Sequence, residues 1–262
     1  MNYETILFEK EDEIGIVTLN RPESKNALNE KLKKELSSAF DQMDKDPEIK
    51  AVILTGGRNV FCAGADIKER ANMNLTPAGF YFSQMKMTQA LFSKIENFEK
   101  PVIAAISGVA LGGGFELSLV ADLRIASVTA LFGLPEVNIG VIPAGGGTQR
   151  LSRLIGTARA KELLFTGDMI TAEAANILGI VNRVIPLESF MKEAKILANK
   201  LAAKPPLSMK FAKRAVNVGM QLDLTSAIDY ETACAAILIA SEDRIEGFNA
   251  FVEKRRPIYK GR

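Results

Sequence analysis

Two short runs of this chain are apolar almost throughout and show no alternation: AVILT at 51–55 and PVIAAI at 101–106. A strand with one wet face alternates apolar and polar residues, whereas a run without alternation has to be covered on both faces. That demand points to parallel strands joined by crossover helices, an α/β architecture. The flanking segments fit it. Residues 4–10 and 14–20 alternate enough to form a hairpin that turns at Glu11-Asp12-Glu13. Asn29 is placed to cap a helix over 30–45, with Leu32, Leu36, Ala39, Phe40 and Met43 on one face. Further strands are expected at 122–127 and 180–185, a mobile loop at 67–80, and a helix at 80–98. After Pro186 the pattern is helical throughout, over 188–203, 206–217, 224–240 and 242–253. The expected organisation is a core over 1–186 and a helical region over 187–262.

Composition removes whole classes of function. The 262 residues carry a net charge of only +2, which argues against nucleic acid or a membrane surface as the main partner. The short basic run Lys31, Lys33, Lys34 reads as a solvated helix face. No run of about 18 apolar residues exists to span a bilayer. The N-terminal MNYETILFEKEDE has no basic or Arg-rich targeting pattern, so the expected location is the cytoplasm. The two cysteines, Cys62 and Cys234, lie far apart, which excludes a disulfide framework and a thiolate zinc site. Cys62 reads as a packed thiol. There is no histidine. Ser-His-Asp triads, Cys-His pairs and His-based metal sites are therefore unavailable, and acid–base work falls to Glu, Asp, Lys or Tyr.

The stretch 101–150 carries the chemistry. After its strand come Gly112, Gly113 and Gly114, then an apolar helix with one acid, Glu116. A second acid, Glu136, follows in FGLPEV at 132–137. Glycines at the mouth of a helix leave backbone N–H groups bare, and a carboxylate among apolar neighbours is costly unless it serves a site. Taken alone, each glutamate fits catalysis or a structural ion pair. FCAGAD at 61–66 fits a tight turn or a ligand-binding loop in which small side chains let a ligand reach the backbone. Neither glycine cluster continues into a dinucleotide fingerprint or a P-loop.

Together, FCAGAD (61–66), GVALGGGFEL (108–117), FGLPEV (132–137) with GGGTQRL (145–151), and SEDRIEGFNAFVEKR (241–255) resemble the enoyl-CoA hydratase (crotonase) family over essentially the whole chain. The resemblance implies a spiral of ββα turns with a C-terminal helical region that mediates trimers, often as a dimer of trimers. It implies an acyl-CoA thioester as substrate, with no cofactor and no metal. Its thioester carbonyl would sit between the backbone N–H groups of Ala65 and Gly113. Glu116 would hold and activate the water that adds at the β-carbon, and Glu136 would supply the α-carbon proton. For CoA, the resemblance points to the main chain around Ala63, Ala65 and Ile67 with Asp66, to the Gly112-Gly113 turn, and to Arg21 and Lys68. Phe251 and Lys254 would reach it from another part of the trimer. One departure is Ala144, where many hydratases have glycine; a left-handed backbone there would make alanine costly. Moving a double bond needs one base, so an isomerase of the same family is the alternative. An RNA-binding relative is a remote one, supported only by the Lys31/Lys33/Lys34 run and the Lys210/Lys213/Arg214 cluster.

Overall fold

The computed structural model describes residues 3–73 and 76–262. The chain opens with an antiparallel hairpin of β1 (Ile6–Glu11) and β2 (Ile14–Leu19), then helix α1 (Glu30–Lys45), whose first turn is capped by the Asn29 side chain accepting from the Leu32 N–H. Next come β3 (Ala51–Thr55), β4 (Val60–Cys62), α2 (Ile67–Ala71), α3 (Pro77–Gly79), a π-helical stretch at Phe80–Met85, and α4 (Lys86–Glu96). The same order recurs in β5 (Val102–Ile106), β6 (Val109–Leu111) and α5 (Gly113–Leu119). It recurs again in β7 (Leu123–Ser127), β8 (Leu131–Gly133), a 3-10 turn at Pro135–Ile139, α6 (Gly147–Ile155) and α7 (Thr157–Thr166). The core closes with β9 (Met169–Thr171), α8 (Ala172–Ile177) and β10 (Arg183–Ile185), followed by α9 (Phe190–Ala202), α10 (Pro206–Gly219), α11 (Leu224–Ile239) and α12 (Glu242–Val252).

Each of these three turns sends its first strand to one sheet and its second strand to another. The large sheet has the order β1-β2-β3-β5-β7-β10, and the small one β4-β6-β8-β9. This is the spiral of ββα turns that the resemblance implied, in place of a single layered sheet. The strands without alternation are explained by coverage on both faces. Val52 and Leu54 of β3 and Val102, Ala104 and Ile106 of β5 point into a core shared with α1 and α4. Ala51, Ile53, Ile103 and Ala105 point the other way, onto Phe190, Ala194, Leu197 and Ala198 of α9.

Three expectations are corrected. The stretch 67–80 is not a plain loop: Asp66 caps α2 by accepting from the Glu69 N–H, and Thr76 caps α3 by accepting from the Gly79 N–H. Part of that expectation, residues 74–75, lies outside the described residues. Lys33 is not on a solvated face. It is 4% exposed, lies under α4 with its Nζ 3.4 Å from Thr88 Oγ1, and desolvation lowers its pKa. Finally, the strand at 180–185 shortens to Arg183–Ile185, because Ile180 and Val181 instead bond back to Ala175 at the end of α8.

Candidate active site

The small sheet creates the site. Its strands β4, β6 and β8 run parallel, so all three end at the same edge. The end of a parallel strand is where backbone and loops meet a ligand in open α/β sheets. Here β4 releases Ala63-Gly64-Ala65, β6 releases Gly112-Gly113, and β8 releases Leu134-Pro135-Glu136.

Two glycines make the close approach possible. Gly112 sits at φ 50° and ψ −125°, a conformation hostile to side chains, and a Cβ there would lie 2.7 Å from Glu136 Oε1. Gly114 presses on β4, where a Cβ would stand 2.2 Å from the Cys62 carbonyl oxygen. Between them, Gly113 brings its N–H beside that of Ala65: a Cβ on Gly113 would be 3.5 Å from Ala65 N. Neither N–H donates to an acceptor among the described residues; the pairing of Leu28 with this loop uses the Gly64 carbonyl and the Asp66 N–H instead. Two backbone nitrogens with no acceptor among the described residues thus lie close together by the start of α5.

The acids stand on the next two turns. Glu116 is 4% exposed on the inner face of α5, and its Oε1 accepts a 2.7 Å hydrogen bond from the Gly147 N–H. Burial raises its pKa, while the N–H groups of Gly147 and Gly145 and the charge of Arg150 pull the other way. Glu136 lies in the turn after β8. Its Oε2 is buried without a hydrogen-bond partner among the described residues. Desolvation, reinforced by the Glu116 charge, pushes its carboxyl up to about 7. A half-buried carboxyl with one orphaned oxygen and a pKa near neutrality is poised to hold or give a proton.

Two arginines that sequence reasoning passed over complete the electrostatics. Arg150 grips Glu96 with two 2.8 Å bonds and also donates to the Gly145 carbonyl at 2.9 Å, bracing the loop that delivers Gly147 to Glu116. Arg70 on α2 opposes the rise in pKa of both acids and rests over the Phe80 ring at 5.9 Å. The only sequence signal for Arg150 was its place directly after the second glycine cluster; Arg70 offered none. Ala144 is not left-handed; the positive φ in that loop, 109°, belongs to Gly146, so alanine at 144 carries no backbone strain.

The remaining predicted residues divide into three groups. Ala63 and Ala65 are half-buried at the mouth of the site, with Ile67 and Lys68 exposed beside them. Arg21 and Asp66 are spent on each other in a 3.0 Å ion pair. Phe251 and Lys254 are exposed at the end of α12 and beyond it, and no ion pair or side-chain hydrogen bond joins Lys254 to the acids among the described residues. A cleft of about 950 Å³ lies elsewhere: it runs between α10 and the edge at Leu119–Arg124, and neither Glu116 nor Glu136 lines it. A second cleft of about 580 Å³ is lined by Pro143–Gly146, next to Glu116. No cluster of potential metal ligands occurs among the described residues.

Comparison with known proteins gives this geometry a setting. Residues 9–262 match the family described as enoyl-CoA hydratase/isomerase. A short-chain-enoyl-CoA hydratase of Clostridium acetobutylicum is 43% identical over 98% of this chain and 97% of its own. A crotonyl-CoA hydratase of Syntrophomonas wolfei is 42% identical over 98% of each chain. The crystal structure of an enoyl-CoA hydratase from Bacillus anthracis superposes with a TM-score of 0.94, at 41% identity, over 99% of this chain and 100% of that one.

The raised Glu136 pKa has a consequence for stability. Below about pH 4.5 the carboxyl is protonated folded or unfolded; between there and about 7 only the folded form keeps its proton, so stability falls as pH rises. Glu136→Gln removes that ionisation. The variant is expected to exceed the wild type by about 1–3 kcal/mol at pH 8, with the gain fading toward pH 4.5. Denaturant titrations at several pH values check this, and a gain independent of pH would contradict it.

Proposed function

The chain belongs to the enoyl-CoA hydratase/isomerase family, and from that footing we propose that it adds water reversibly across the 2,3 double bond of a 2-enoyl-CoA thioester, giving the 3-hydroxyacyl-CoA. The observation that carries this reading is the pair of acids, Glu116 and Glu136, set around the turn that bares the Ala65 and Gly113 N–H groups. The thioester oxygen sits between those two donors. As negative charge grows on it, the donors need no reorganisation, and one such donor is worth about 10²–10³ in rate.

Glu116, as a carboxylate accepting from the Gly147 N–H, takes a proton from water as its oxygen adds to the β-carbon. Glu136, protonated near neutrality, gives its proton to the α-carbon. The pair begins with one proton and ends with one, moved from Glu136 to Glu116. The reverse reaction starts from that same singly protonated pair, so one protonation state serves both directions. No cofactor is required, because the substrate's own carbonyl is the electron sink. Two acids at the site favour hydration over isomerisation, which needs only one base.

For CoA, the strip Ala63–Ile67 and the Gly112-Gly113 turn offer main-chain contacts. Lys68 is the exposed cation for phosphate, while Arg21 and Asp66 hold the loop in shape. Four cations of the runs behind the RNA-binding alternative are engaged: Lys31 with Glu4, Lys34 with Glu30, Lys210 with Glu99, and Lys213 with Asp122. Within the helical region 187–262, α11 is apolar, yet of its 16 residues only Cys234 is buried. Leu224, Phe251 and Val252 are each more than three-quarters exposed. An apolar helix left this bare is explained by partners. We read it as the trimer surface, bringing a second copy's Phe251 and Lys254 toward the CoA. No helix among the described residues is long and apolar enough to cross a membrane, and the reduced cysteines suit the cytoplasm.

Loss of enoyl absorbance with crotonyl-CoA, and appearance of 3-hydroxybutyryl-CoA, tests the reaction. The wild type is expected to turn over with a bell-shaped pH dependence whose alkaline limb lies near 7. Glu116→Gln and Glu136→Gln should each lose at least about 10²-fold in kcat; near-normal hydration by either would refute the two-carboxylate mechanism. Light scattering after size exclusion should give three or six times 28.5 kDa. A monomer would remove the trimer reading.

A further inference from the structure

The Ala65 donor stands on a loop with no helix or long strand of its own, and its position is set from across the chain by a buried asparagine. Asn26 is 2% exposed and left-handed, at φ 56°. Its Nδ2 faces three carbonyl oxygens at once: Gly56 at 3.1 Å, Val60 at 3.3 Å and Phe61 at 3.1 Å. Its Oδ1 accepts from the Arg21 N–H at 2.8 Å, which settles which way the amide points. Its own carbonyl accepts from Cys62 Sγ at 3.0 Å. Val60, Phe61 and Cys62 are the whole of β4, and Ala65 lies three residues beyond it.

The neighbours of Asn26 continue the grip toward the donor. Lys25, also left-handed at φ 51°, accepts from the Ala63 N–H at 3.0 Å. The Leu28 N–H donates to the Gly64 carbonyl at 2.7 Å, and the Leu28 carbonyl accepts from Asp66. These contacts take the polar groups on either side of Ala65 N and leave that one N–H bare. The Asn26 side chain gathers three backbone carbonyls, one buried and two part-buried. No other residue type supplies two donors and an acceptor at that length while tolerating the left-handed region.

We propose that Asn26 is a positioning residue for hydration: it fixes β4 so that the Ala65 N–H lies in line with the Gly113 N–H. It touches no substrate atom, and it acts on the thioester only through the backbone. This inference rests on the reading of Ala65 and Gly113 as an oxyanion hole, and the test separates the two.

The test is the absorption of a chromophoric enoyl thioester, 4-dimethylaminocinnamoyl-CoA, bound to the full chain. Hydrogen bonds to its carbonyl oxygen pull electron density through the conjugated system and shift the band to longer wavelength. The wild type is expected to shift the band; absence of a shift there would refute the oxyanion-hole reading itself. Asn26→Gly keeps the left-handed turn and deletes the side chain. It is expected to fold, to bind the thioester within about threefold of wild type, and to lose more than half of the shift. Its kcat should fall about 10–100-fold with KM little changed, the pattern of a donor moved out of line. Asn26→Ser, which retains one donor, should recover part of both. A full shift in a folded Asn26→Gly would overturn the proposal. Failure of both variants to fold would overturn it too, by making Asn26 a requirement of the whole fold rather than of the donor.

Discussion

The structure depends on how closely β4 and the first turn of α5 approach each other. Gly114 lies so near the Cys62 carbonyl that a methyl group there would stand 2.2 Å from its oxygen. Everything chemical follows from that contact. It brings the Ala65 loop against the Gly113 turn, and it lets the buried inner face of α5 present Glu116 to the same point. Because β6 pairs with β8 as well as with β4, the turn carrying Glu136 arrives at that edge too. Three strands of three residues each, too short to be stable alone, thus bring together the four groups proposed to act in hydration. The large sheet and the helices that cover it supply the rigidity the small sheet lacks.

The electrostatics share this economy. One carboxylate is stabilised by backbone N–H groups and Arg150, the other is left with an orphaned oxygen, and each sees the charge of its neighbour. Two acids so arranged differ in proton affinity without a histidine or a metal to separate them. Arg150 contributes from a distance. Its bonds to Glu96 and to the Gly145 carbonyl hold the loop that gives Glu116 its hydrogen bond.

The large sheet was legible in the sequence, and the small one was not. AVILT and PVIAAI announced doubly covered strands, and the hairpin showed its alternation. Residues 60–62, 109–111, 131–133 and 169–171 are three-residue strands, too short for any period to register. Without the motif resemblance the spiral would have been read as one open sheet. Glu116 and Glu136 stood out as lone acids among apolar residues, but only the fold shows that they face one turn. Asn26, Arg70 and Arg150 gave little or no signal for a different reason: their contacts span 30 or more positions, and a polar residue in a loop or helix looks the same whether it bonds solvent or three backbone carbonyls. Lys33 misled because its neighbours Lys31 and Lys34 do face solvent.

The proposed hydration requires a single proton shared by Glu116 and Glu136. Carbon-13 NMR of the protein labelled at the glutamate side-chain carboxyls measures it directly across pH. The prediction is one carboxyl titrating near 7, absent in Glu136→Gln and displaced downward in Glu116→Gln, where the neighbouring charge is gone. Two carboxyls titrating independently near 4.5, unmoved by either substitution, would contradict the mechanism.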